Sequence, residues 1–166
     1  LDHFLPKSVF QLYALSVWNL IPTCKLCNQT FKGSRFIPLL NPLEAGFDAD
    51  CFLNVEFHSL GQLLGKDNNF DVSWELDPFI SADTREKIEN NIQMFRLNEV
   101  YKYHKEELRL VLKRRQMLSS RRYVEEVKKL VGEEDLDEIL LGIPEKPENL
   151  DKRILAKAKY DVVKRN

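Results

Sequence analysis

The sequence predicts an α+β protein, with short strands and a β-hairpin in its N-terminal half and a mostly helical C-terminal half. Two runs alternate apolar and polar residues: Leu53, Val55 and Phe57 with Asn54, Glu56 and His58, then Phe70, Val72, Trp74 and Leu76 with Asp71, Ser73 and Glu75. Period-2 alternation marks a half-buried strand. Beyond Asp83 the pattern changes, and Leu97, Tyr101, His104, Leu108 and Val111 recur at intervals of four and three. That spacing lays one stripe along a helix. In the first forty residues Pro6, Pro22 and Pro38 separate elements that can only be short.

In chain order, Leu1 to His3 reads as the end of a strand and Trp18 to Pro22 as a second, and the chain turns into a helix after Cys27. Residues 50–77 form the hairpin, whose loop is the Gly/Asp/Asn-rich stretch Gly61 to Asn69. Asp83 is the expected N-cap of a long helix. Ser119 and Ser120 cap a second helix through Leu130, and Gly132 ends it. A short acidic helix covers Glu134 to Leu141, Pro144 and Pro147 break it, and a last helix runs from Leu150 to about Lys164. The expected division is residues 1–80, the motif and hairpin, and residues 81–166, a helical extension.

With 166 residues, 43% apolar and 31% charged, the chain has enough apolar surface for a core and lacks the composition of a disordered chain. The net charge of −1 conceals an asymmetry. Residues 102–122 hold eight Lys/Arg against two Glu, and residues 133–151 hold eight acids against one Lys. No apolar run reaches the ~20 residues of a membrane span, no signal peptide is recognisable, and no membrane partner is expected. Three cysteines, two of them in Cys24-Lys-Leu-Cys27, point to a reducing compartment and a metal rather than a disulfide framework. The chain opens on Leu1, directly at its motif, so further sequence is expected upstream.

That motif is the most informative part of the chain: Asp2-His3, then Asn19, then Cys24, Cys27 and Asn28. Phosphodiester hydrolysis needs an activated water and charge stabilisation on the phosphate and leaving oxygen. Imidazole, with an ordinary pKa of about 6.5, can take a proton from water near neutral pH. A divalent cation on hard oxygen ligands can stabilise the crowded phosphorus and the departing oxygen. Asp2 offers a carboxylate and Asn28 a carbonyl. Adjacent strand residues face opposite ways, so Asp2 and His3 serve one site only if the backbone turns there, which Pro6 accommodates.

These residues resemble the HNH endonucleases, whose fold is a ββα-metal unit around one catalytic cation. The resemblance implies His3 as general base, Asp2 and Asn28 as ligands of Mg²⁺ or Mn²⁺, and Asn19 as the residue that holds the connecting loop and orients the base. Pro6 and Ser8 fit the family's D-H-x-x-P-x-S opening. Cys24 and Cys27 match one half of the structural Zn²⁺ site that many members carry, the other pair usually lying upstream. Lys32-Gly33 falls one residue later than in the family's C-N-x-x-K-G. A second segment, Asn91-Ile-x-x-Phe95-x-Leu97-Asn98-x-x-Tyr101-x-x-His104-Lys105, is similar to the helical part of HNH proteins encoded beside an ATPase, the PtuB-like subunits of Septu-type bacterial anti-phage systems. That likeness implies an ABC-type ATPase partner in the bacterial cytoplasm. The chain has no Walker-type loop of its own.

The expected activity is therefore metal-dependent cleavage of DNA, with an RNA such as tRNA as the alternative substrate. The rival from another class is a zinc-stabilised assembly subunit that keeps the shape without cleaving. Lys7, Lys25 and Lys32 are candidate phosphate contacts near the motif. Lys102, Lys105, Arg109 and Lys113 share one helix side, which suits a polyanion equally with a solvated face or a docking surface. The C-x-x-C reads either as half a zinc site or as two reduced, packed cysteines. His104 is expected partly buried, His58 at the surface, and Trp18, Trp74 and the phenylalanines in the core.

Overall fold

In a computed structural model the described residues are 1–47, 49–132 and 135–165. The protein is α+β, as the periodicities predict. It divides into two compact units, one of residues 1–51 and 76–99, the other of residues 52–75 and 100–166. This differs from the division expected at residue 80. The segment 76–99 belongs with the N-terminal fifty residues, and the second expected strand pair packs with the C-terminal helices.

In the first unit, β1 (Asp2–His3) pairs antiparallel with β2 (Leu20–Ile21), with Asp2 opposite Ile21 and His3 opposite Leu20. The second strand is shorter than Trp18 to Pro22, because Val17–Asn19 closes a 3₁₀ turn first. A seven-residue π-type helix, Leu26–Lys32, follows and ends at Gly33, whose φ of +56° a side-chain-bearing residue adopts at a cost.

Trp18 is a correction: it is 73% exposed, as are its neighbours Leu12, Leu15 and Val17 to similar or greater degrees. The loop between β1 and β2 spends its buried positions on hydrogen bonding and leaves these apolar side chains outside.

The strand pair of the hairpin is β3 (Cys51–Glu56) with β4 (Asp71–Leu76), joined through a short helix, α1 (Leu60–Leu63). Cys51, Leu53 and Val55 on β3, and Val72 and Trp74 on β4, are buried while their neighbours are not.

Helix α2 (Ala82–Met94) starts two residues earlier than expected. Ser81, not Asp83, is its cap, its Oγ accepting from Thr84 N at 3.1 Å. Asp83 sits inside the first turn, paired with Lys87 at 2.7 Å. The long helix expected beyond is three helices: α2, α3 (Leu97–Lys102) and α4 (Lys105–Leu118). Arg96, at φ +50°, ends α2, and its guanidinium lies 5.4 Å over the Phe31 ring. The chain breaks again at Tyr103 and His104. The apolar stripe thus runs over separate helices, with Leu108 and Val111 buried and Leu97, Tyr101 and His104 half-buried.

Ser120 caps α5 (Arg121–Val131), and Gly132 closes it at φ +83°. A π-type turn, Asp137–Leu141, stands where the acidic helix was expected, whose first residue, Glu134, lies outside the described residues. The last helix, α6 (Ala156–Lys164), begins later than Leu150, because Leu155 adopts φ +57° and interrupts the chain after the 3₁₀ turn Pro147–Lys152.

The core of the second unit gathers Leu53, Phe70, Leu108, Val111, Leu112, Leu141, Ile143 and Val162. One buried charge holds it together. Asp161 on α6, fully buried, accepts from Leu53 N on β3 at 2.9 Å and from Lys157 Nζ at 2.6 Å. Lys157 in turn lies 5.9 Å over Trp74. The loop after α1 also passes against α4: Arg109 Nη1 donates to Gly65 O at 2.9 Å, and Gly65 has φ +62°.

A side chain at Gly65 has no room, since its Cβ would stand 2.7 Å from both Arg109 O and Lys113 N, whereas at Gly132 nothing lies within 4 Å. Gly65→Ala combines backbone strain with this clash and should cost about 3 kcal/mol or more, whereas Gly132→Ala meets only the backbone strain of φ +83°, ψ −154°, about 1–3 kcal/mol, and should be the less destabilised of the two. Urea denaturation of both variants measures the difference.

Candidate functional site

The candidate site belongs entirely to the first unit. β1 stops at His3, the chain bends at Phe4 and Leu5, and this bend brings Asp2 and His3 to one cleft of about 250 Å³. Asn28 and Lys32, from the π-type helix, line the same cleft, with Lys7, Ser8 and Gly33 beside them. Asp2, His3 and Asn28 are thus brought together; Cys24 and Cys27 do not line this cleft.

His3 is held through one ring nitrogen. Its Nε2 lies 3.0 Å from Ala14 O, and a carbonyl only accepts, so Nε2 carries the hydrogen. A neutral ring then keeps its lone pair on Nδ1. The tautomer follows from a backbone atom eleven residues away.

Asn19 fixes that atom's neighbourhood. It is 3% exposed, and its side chain closes three hydrogen bonds: Leu5 N donates to Oδ1 at 2.6 Å, and Nδ2 donates to Leu5 O at 3.1 Å and to Tyr13 O at 3.0 Å. Phe4 N also donates to Asn19 O at 2.9 Å. One buried amide therefore ties the chain just after His3 to the residue just before Ala14. Buried polar atoms cost free energy unless paired, and here three backbone groups and one side chain satisfy each other.

Lys32 is placed differently from the expectation for a phosphate contact. Its side chain is 4% exposed, and its Nζ stands 2.8 Å from Asp2 Oδ2 and 2.5 Å from His3 O. Burial and these two partners commit the ammonium to β1. An i→i+5 bond from Gly33 N to Asn28 O, 2.7 Å, carries one more residue per turn than an α-helix does. That wide turn takes Lys32 inward. Lys7 and Lys25 are exposed, Lys7 at the cleft's rim.

Whether this set fits a cation depends on the ion. Asp2 supplies one carboxylate oxygen pair and Asn28 one carbonyl, its amide nitrogen being engaged with Leu1 O at 3.4 Å. Among the described residues no group of three or more His, Cys, Asp or Glu is placed to share an ion. An open Mg²⁺ or Mn²⁺ site fits the chemistry, because Mg²⁺ keeps several waters and commonly takes one or two carboxylates together with substrate phosphate oxygens.

Cys24 is exposed, Cys27 half-buried and Cys51 buried in β3, none of the three in a disulfide. Cys24 Sγ accepts from Cys27 N at 3.4 Å. That backbone N–H, with help from the Cys27 thiol, holds the Cys24 thiol below its ordinary pKa, while burial pushes the Cys27 thiol up. The pair supplies two of the four ligands that tetrahedral zinc takes.

The basic helix side lies in the second unit and is largely committed. Arg109 forks onto Glu106 at 2.8 and 2.5 Å and reaches Gly65 O; Lys105 lies 3.5 Å from Asp71 and 5.9 Å over the Phe70 ring. Those two pack and pair within their own unit. Lys102 and Lys113 are exposed. His104 is half-buried against Tyr101, ring centroids 5.8 Å apart, and exposed His58 meets Asp71 at 3.0 Å, a contact that lowers the Asp71 carboxyl's pKa.

Sequence reasoning missed Ala14, which acts through its carbonyl alone and carries no side-chain signal. It also missed Lys32's pairing with Asp2, which lies thirty residues earlier in the chain.

No family model matches this chain, and neither a curated protein nor a solved structure does. No helix among the described residues is long and apolar enough to cross a membrane.

Two outcomes test the geometry. Asn19→Ala leaves Leu5 N, Leu5 O and Tyr13 O without their partner and should cost about 2–4 kcal/mol, read by chemical denaturation. Iodoacetamide at pH 8 should modify Cys24 ahead of Cys27, since the lower pKa gives more thiolate; peptide mass mapping over time checks the order.

Proposed function

We propose that this chain is an HNH-type nuclease that hydrolyses phosphodiester bonds in DNA. The observation that carries the reading is the His3 ring: Nε2 donates to Ala14 O, which leaves Nδ1 as the basic atom, in the same cleft as the Asp2 carboxylate. A histidine held in one tautomer by a backbone carbonyl is suited to take a proton from water.

In this reading water loses a proton to His3 Nδ1 as its oxygen bonds to phosphorus, the P–O3′ bond breaks, and the departing 3′ oxygen takes a proton from solvent. Asn19 keeps the loop, and so Ala14 O, in register with the ring. Asp2 and Asn28 hold Mg²⁺ or Mn²⁺, which supplies charge stabilisation to the phosphate and leaving oxygens when bound. Lys7, exposed at the rim, meets the nucleic-acid backbone. The antiparallel pair β1–β2 followed by the helix Leu26–Lys32 has the element order of a ββα unit. The likeness to Septu-type subunits extends the proposal to a defence complex with an ABC-type ATPase in the bacterial cytoplasm.

One observation favours the second reading, a non-cleaving assembly subunit: the Asp2 carboxylate is already neutralised by buried Lys32.

Supercoiled plasmid separates the two. The expected result is nicking that needs Mg²⁺ or Mn²⁺, stops with EDTA and falls by at least ~10²-fold in His3→Ala, the range for losing a general base. A parallel arm with tRNA reads the substrate class. Equal activity in His3→Ala, or none on either substrate with the ATPase present, overturns the nuclease reading.

A further inference from the structure

The pair Lys32–Asp2 has consequences beyond the folding of the loop. It rests on the reading of Asp2 as a cation ligand. An ammonium and a hard metal ion ask for the same thing, the lone pairs of a carboxylate oxygen. Here the ammonium already has them: Lys32 Nζ lies 2.8 Å from Asp2 Oδ2 and 2.5 Å from His3 O, and the Lys32 side chain is 4% exposed against 14% for Asp2.

We propose that Lys32 is a resident cation of the site, which holds Asp2 in the metal-free protein and must withdraw from it before a divalent ion binds, so that Lys32 sets the metal affinity. Mg²⁺ bonds carboxylate oxygen at about 2.0–2.1 Å. An ion at that distance from Oδ2 would stand within roughly 4–5 Å of Nζ, at the short range where like charges repel most strongly, and less screened by water than at an exposed site. An ion on the other oxygen, Oδ1, draws on the same carboxylate charge and meets the same ammonium, so in this proposal the pair opens whichever oxygen is taken.

Opening it is costly in two places, because a buried ammonium loses both its carboxylate and the His3 carbonyl. The free protein therefore binds divalent ions weakly. The released ammonium remains beside the cleft, where the nearest compensating anion is a substrate phosphate. Metal and phosphodiester then favour one another, as two ligands that both stabilise the opened pair must. Surface position cannot produce this behaviour. It requires the lysine to be inside, which is where the wide turn between Asn28 and Gly33 carries it.

The experiment is Mn²⁺ binding by the full chain, with free Mn²⁺ counted by electron paramagnetic resonance, for the wild type, Lys32→Met and Asp2→Asn. Methionine keeps the length and apolar stem without the charge. The expected result is a dissociation constant at least tenfold tighter in Lys32→Met than in the wild type, and abolished by Asp2→Asn in either background. Equal or weaker binding in Lys32→Met, with Asp2→Asn still abolishing it, overturns this proposal and leaves the nuclease reading standing. Binding in neither protein, or binding indifferent to Asp2→Asn, overturns both. Circular dichroism checks that each variant is folded. Should Lys32→Met not fold, the wild type decides the question: the ¹⁵N resonance of the Lys32 ammonium should shift and exchange faster with water at the Mg²⁺ concentrations that saturate the site. An ammonium resonance unchanged at saturating Mg²⁺ overturns the proposal.

Discussion

The candidate site depends on one buried amide. Asn19 sits on the last residue of a 3₁₀ turn, directly before β2, and its three side-chain bonds reach the chain on both sides of the loop that joins the two strands. The strands themselves are two residues each. So short a ladder cannot hold a loop of that length by its own hydrogen bonds, and isolated pairs of strands are marginal in water. The amide does what the ladder is too short to do. It also decides what the loop may look like: with Leu5 and Tyr13 fixed, Ala14 O is placed to meet His3, and the apolar residues between are left at the surface.

Charge balance is the second constraint. A carboxylate, an imidazole and an ammonium share one cleft, and the ammonium is the most buried of the three. Burying a lysine is expensive unless its charge is met. Asp2 meets it, and His3 contributes its backbone carbonyl, so β1 and the helix Leu26–Lys32 are tied at the point where the chemistry is proposed. The pair is neutral as a unit, and in the inference drawn above it competes with a second cation for Asp2.

The other unit solves a similar problem with the opposite sign. Asp161 is the buried charge there, satisfied by Lys157 and by the Leu53 amide, and it fastens α6 to β3. Removing either partner would leave an uncompensated charge in an apolar core, a costlier state than the pair. The Arg109 fork on Glu106 and Gly65 has the same character at the margin of that core. Much of what reads as a basic face in the sequence is thus spent on internal pairing.

Local chemistry was legible in the sequence because its causes are local. Alternation placed β3 and β4 within a residue or two, since each side chain reports its own face. Ser120 and Gly132 marked the ends of α5, because caps and left-handed closures act over one turn. The close spacing of Asp2 and His3, and the fall of Asn28 after them, named three residues that line one cleft, while Asn19 holds the adjoining loop. What the sequence could not state lies wherever partners are far apart along the chain. The stripe from Leu97 to Val111 did not disclose the break at Tyr103 and His104, nor did the helix expected from Asp83 disclose the one at Arg96, which turns against Phe31, sixty-five residues earlier. Ser81 rather than Asp83 caps α2, a choice between neighbouring polar residues that backbone geometry makes. Trp18 lies outside because Asn19 claims the buried position beside it. Lys32 lies inside because a wide turn brings it to Asp2. Residue types and their periods determined which side chains could do chemistry; only tertiary structure decided which atoms they would face, because a hydrogen bond or an ion pair is satisfied by proximity in space and not by distance along the chain.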